Sequence, residues 1–152
     1  MEPKTQVIAR ENEQEIFITR EFDLPVQMLF KAYTEPVLIE QWMGTRVIKM
    51  DCSPHGFYQF ETSNAEGKVV FSANGTIHHI ISNEKIIRTF EMETMSFGVQ
   101  LEFLEFERLS DNTCRLQIQS IYKSVALRDE NLKLPFVQGI NMAHNRLQKI
   151  FN

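Results

Sequence analysis

The 152-residue chain is 43% hydrophobic and 24% charged with a formal net charge of −4, proportions that exclude a disordered or fibrous protein. A domain of this length buries roughly 68–70% of its unfolded surface, enough for one real core. The acidic balance and the lack of any basic run exclude electrostatic capture of nucleic acid. Twelve Phe against one Trp supply large side chains without a polar atom, which suit a wide core or a lined cavity. Cys52 and Cys114 are isolated, fit no metal or redox spacing and read as buried reduced thiols, so neither metal nor cofactor is expected. Residues 1–14 lack the apolar centre of a signal peptide, and no stretch reaches the ~20 apolar residues of a membrane span, so a cytoplasmic protein is expected.

Residues 1–14 show no period and read as a flexible tail, with residues 15–152 as one domain. Glu15 to Phe22 has the β-branched and aromatic content of a strand. Asp23 and Pro25 then start a short helix carrying Val26, Leu29, Phe30 and Tyr33 at helical spacing. Thr34 and Pro36 start a second, with Val37, Leu38, Gln41 and Trp42 as its face and Gly44 as its stop.

From Arg46 to Tyr122 strands alternate with turn signals at 53–56, 64–67, 82–85 and 110–113, a spacing that favours antiparallel meander pairing. Alternation assigns inward faces to Tyr58 and Phe60, to Val69, Phe71, Ala73 and Gly75, to Val99, Leu101 and Phe103, and to Cys114, Leu116, Ile118 and Tyr122. The run Ile77 to Ile81 does not alternate cleanly, which implies a bulge and leaves the directions of His78 and His79 open. Val125 to Leu132 reads as a short helix or turn. From Pro135 to about Phe151, an apolar arc of Phe136, Val137, Ile140, Ala143, His144, Leu147, Ile150 and Phe151 opposes Gln138, Asn141, Asn145 and Gln148. Such a helix needs an apolar surface to cover it, and the concave face of a curved sheet supplies one. The expected fold is α+β, about six or seven antiparallel strands wrapped around a long C-terminal helix.

The segments Thr19-Arg-Glu-Phe-Asp-Leu-Pro25, Leu29-Phe30-x-Ala32-Tyr33-Thr34-Glu35-Pro36 and Gln41-Trp42-Met43-Gly44 resemble the activator-of-heat-shock-ATPase-homologue family of the SRPBCC superfamily. Gly56-x-Tyr58-x-Phe60, Phe71-x-x-x-Gly75-Thr76, and Gly139 with Arg146-Leu147 extend the resemblance to about Phe151. It implies the helix-grip fold shared with the major birch-pollen allergen and steroid-transfer domains, with a cavity between sheet and helix. Family members usually carry two glycines where this chain has His55-Gly56, and an aromatic residue where it has Ile140.

His144 is the one polar residue on the helix stripe, where it reads either as a satisfied core-edge histidine or as a group that orients a ligand. Adjacent strand residues point to opposite faces, so His78 and His79 do not share a metal. Glu102, Glu105 and Glu107 read as a solvated outer face. Trp42, Tyr58, Phe60, Phe71, Phe97, Phe103, Ile140, His144 and Leu147 are the cavity candidates, each equally at home in a solid core. No phosphate loop, nucleophile elbow or Cys–His pair is present, so no catalytic residue is assigned.

The expected function is binding of a small apolar molecule or lipid. The resemblance supplies two alternatives: a protein-interaction domain for a heat-shock ATPase chaperone, and a cyclase-like enzyme using the same cavity with His144 as its polar group. An exposed sheet edge is compatible with either a monomer or a homodimer.

Overall fold

The computed structural model describes residues 4–152. Eight antiparallel strands form one sheet in the order β1-β2-β8-β7-β6-β5-β4-β3. In chain order these are β1 (Gln6–Ile8), β2 (Glu15–Phe22), β3 (Arg46–Met50), β4 (Phe57–Ser63), β5 (Val69–Ile81), β6 (Lys85–Met92), β7 (Val99–Arg108) and β8 (Cys114–Ile121). Helices α1 (Val26–Thr34) and α2 (Pro36–Met43) follow β2, and α3 (Val125–Leu132) and α4 (Phe136–Ile150) close the chain.

The strand count exceeds the expected six or seven because residues within the expected tail are structured. Gln6–Ile8 pairs with Phe17–Thr19, and Thr5 beside it is buried. Three residues show no period of their own, and pairing with β2 is what makes them a strand. Residues 1–3 of that expected tail lie outside the described residues.

Alternation holds where one face is polar. Ile16, Ile18 and Phe22 of β2 and Cys114, Leu116 and Ile118 of β8 point into the core. On β7 the expected face is inverted: Val99 and Leu101 are exposed and Phe103 is half-buried, whereas Gln100, Glu102, Leu104 and Phe106 are buried. Both faces of β7 carry apolar residues, so hydrophobicity alone does not choose between them. The expected outer-face position of Glu102 is corrected by the same inversion.

Two helical details also differ from expectation. Neither α1 nor α2 has a side-chain cap, and their N-caps are Pro25 and Glu35. The buried face of α2 is Ile39 and Trp42, with Val37 two-thirds exposed at 66%. Trp42 sets that rotation: its Nε1 donates to the Ala32 carbonyl at 2.7 Å, fixing α2 against α1. Gly44 ends α2 at φ +66°, the left-handed conformation that favours glycine. His55 holds φ +70°, a left-handed conformation that non-glycine residues seldom adopt.

Gly75 is required by packing. A Cβ there would collide with the Thr89 carbonyl and the Tyr58 ring and hydroxyl. Its absence lets Tyr58 lie across β5 and donate to the Thr89 carbonyl at 2.5 Å.

Candidate functional site

A cavity of about 490 Å³ lies between the concave sheet face and the helices. Ile18, Phe60, Phe71, Phe90 and Ile118 form much of the sheet side. Ile39, Trp42 and Met43 from α2, and Phe136, Ile140 and Ala143 from α4, form the helical side. The exposed lining residues Leu134, Pro135, Gly139 and Arg146 mark the mouth. Arg146 is held there by its Nε, which donates to the Trp42 carbonyl at 2.9 Å.

Of the nine sequence candidates, Trp42, Phe60, Phe71 and Ile140 line this cavity, and the other five do not. Tyr58 is fully buried beneath the lining, with its hydroxyl committed to Thr89. Burial pushes that hydroxyl's pKa up, partly offset by the charge of Arg88. Phe97 is buried in the β6–β7 connection, and Phe103 faces outward beside Ile87 and Gln119. Leu147 is completely buried in the core cluster.

His144 is also completely buried, and its two nitrogens are occupied. Nδ1 lies 2.8 Å from Thr5 Oγ1, and Nε2 lies 3.0 Å from the Tyr33 hydroxyl. The Phe22 ring packs edge-on at 5.4 Å. Burial, followed by the nearby charge of Arg20, holds the imidazole down to about 3. The residue thus links α4 to α1 and to the start of β1. His78 and His79 are both exposed, with the β5 bulge between Ile77 and His79, and neither lines the cavity.

The sequence reading missed the polar part of the lining. Arg88, Glu102 and Ser120 stand in one cross-strand row on β6, β7 and β8. Arg88 Nε donates to Glu102 Oε1 at 2.9 Å, and Ser120 Oγ donates to Glu102 Oε2 at 3.1 Å. The Arg88 guanidinium carbon lies 5.3 Å from the Tyr58 ring centre. Nearer α3, Gln100 of β7, Tyr122 beyond β8, and Asn131 form a second polar group. Ser124 caps α3 by accepting from the Leu127 amide. Buried Arg128 donates to the carbonyls of Arg10 and Glu15, which fixes α3 where Asn131 reaches the cavity. Asn131 Nδ2 donates to the Tyr122 hydroxyl, whose pKa burial raises to about 12. Asn131 Oδ1 is buried and has no partner among the described residues. The available signal was parity: Leu104 and Phe106 share the phase of Glu102, and a buried carboxylate needs a cation on the neighbouring strand.

A curved antiparallel sheet closed over a C-terminal helix is the helix-grip architecture of the α+β class. A family profile described as Activator of Hsp90 ATPase homolog 1-like protein matches residues 23–152, and the chain belongs to that family. Protein Ms6760 from Mycobacterium smegmatis has a similar solved structure, with a TM-score of 0.86, 19% identity, and coverage of 99% of this chain and 98% of that one. A Rhodobacter sphaeroides protein gives 0.86 at 17% identity, covering 97% and 98%. CalU16 from Micromonospora echinospora gives 0.67 at 15%, covering 97% and 87%. These likenesses establish the fold. No curated protein matches the chain. Among the described residues no helix is long and apolar enough to cross a membrane.

Proposed function

We propose that this protein is a cytoplasmic binding module, a single domain of residues 15–152 together with β1, that holds a mostly apolar small molecule between the sheet and α4. The observation that carries this reading is the cavity itself. Its volume of about 490 Å³ falls within the ~300–1,000 Å³ range of small-molecule sites, and its apolar walls hold a few convergent polar groups. Trp42, Phe60, Phe71 and Ile140 are contact surface for the ligand body. His144, with both nitrogens engaged, favours holding a ligand over transforming it.

Native mass spectrometry of protein purified from its host tests the reading. The expected result is a co-purifying small molecule that disappears in Ala143→Phe, which fills the cavity from α4. A preparation without bound molecule, whose interior also takes up no apolar fluorescent probe, refutes it.

Family membership supports a second reading, a co-chaperone-like domain that binds a heat-shock ATPase. Stimulation of the host chaperone's ATPase by the purified protein would support that reading, and absence of both binding and stimulation would remove it.

A further inference from the structure

Three polar side chains at the inner wall carry hydrogen-bonding capacity that the protein leaves unused. Arg88 is 9% exposed, Gln100 4% and Asn131 2%, and all three line the cavity. Arg88 spends Nε on Glu102, and among the described residues neither terminal nitrogen of its guanidinium has a hydrogen-bond partner. The Gln100 amide has none either, and one end of the Asn131 amide is unpartnered. Buried polar groups are ordinarily satisfied, so the unused donors of Arg88 and Gln100 around one cavity define what its occupant must supply.

We propose that the ligand is an apolar monocarboxylic acid whose carboxylate docks on the free end of the Arg88 guanidinium. This assignment rests on the ligand-binding reading above and narrows its chemistry. The two terminal nitrogens of a guanidinium present parallel N–H donors that match the two oxygens of a carboxylate. Glu102 occupies the Nε edge and is itself held by Ser120, so the second carboxylate meets the terminal edge without displacing the first. Gln100 can turn its N–H toward the same anion.

Charge points the same way. The charged lining residues are Arg88, Glu102 and Arg146, two cations and one anion, so a single negative charge on the ligand balances the cavity. Phe90, Ile118 and Ile140 then face the hydrocarbon body.

Calorimetric titration with decanoate and with 1-decanol, equal in chain length, tests the assignment on the whole protein. The wild type should bind decanoate at least about tenfold more tightly than decanol, the effect of a charge-assisted pair. Arg88→Met combined with Glu102→Gln should abolish that preference while still accepting decanol. Glu102→Gln alone removes the neighbouring negative charge and should tighten decanoate; weakened decanoate binding there counts against the assignment and remains readable if the double variant does not fold. Equal affinities in the wild type, or a preference that survives in a folded double variant, overturns the carboxylate and leaves the binding reading standing. Failure of the wild type to bind either compound overturns the carboxylate assignment, and the binding reading is then decided by the native mass spectrometry and probe uptake described above.

Discussion

His144 has no exposed surface, and its ring joins Thr5 to Tyr33. The imidazole titrates near 6.5 when unfolded and is held down to about 3 in the fold. Between those values the unfolded chain binds the extra proton. Stability contributed by the neutral ring is therefore complete above about pH 6.5 and is lost as pH falls toward 3, by up to about 1.4 kcal/mol per pH unit. Urea unfolding followed from pH 7 to 4.5 should show a steeper decline for the wild type than for His144→Gln, whose amide retains a donor and an acceptor but does not titrate. Parallel curves for the two proteins would show that the folded and unfolded chains protonate His144 alike, so that burial does not hold its pKa down.

At the scale of elements, the row from Arg88 through Glu102 to Ser120 ties β6, β7 and β8 together beneath the cavity. Arg88→Met alone leaves Glu102 buried without its cation and should cost about 3–5 kcal/mol. Adding Glu102→Gln removes the orphaned charge and should recover much of that loss in chemical denaturation. If the second substitution recovers nothing, Arg88 acts through its packing on Tyr58 rather than through its charge. This row also shows where sequence patterns stop. The α4 stripe was legible, apart from Val137, which is 49% exposed, because helical spacing separates Leu147 and Ile150 from Gln138 and Gln148. On β7 the apolar residues Leu101 and Phe103 compete with Leu104 and Phe106, and only pairing with β6 and β8 resolves the face. Four of the nine cavity candidates, Trp42, Phe60, Phe71 and Ile140, line the cavity, because composition marks apolar positions without separating pocket wall from packed core. Tyr58 and Leu147 satisfy the same pattern from inside the core.

For the molecule as a whole, α4 belongs to two environments. Its C-terminal half is bolted to the body: His144 meets Thr5 and Tyr33, Asn145 accepts from Arg20 at 2.9 Å, and Gln148 exchanges hydrogen bonds with the backbone of Asp23. Its N-terminal half lies over the cavity through Phe136, Gly139 and Ile140, with Pro135 as an N-cap that makes no side-chain bond. Gly139 further weakens this half by roughly 1 kcal/mol relative to alanine. Fewer anchors and a less helical sequence place residues 134–143 at the low-stability end of the fold, while residues 144–150 share the stability of the core. Amide hydrogen exchange should therefore be faster in 134–143 than in 144–150 in the ligand-free protein. A ligand filling the cavity adds contacts to the first segment and should slow its exchange selectively, because the second already opens only with the core. Equal exchange along α4 in the free protein would mean that the two halves open together, and ligand entry would then require movement of the whole helix against the sheet.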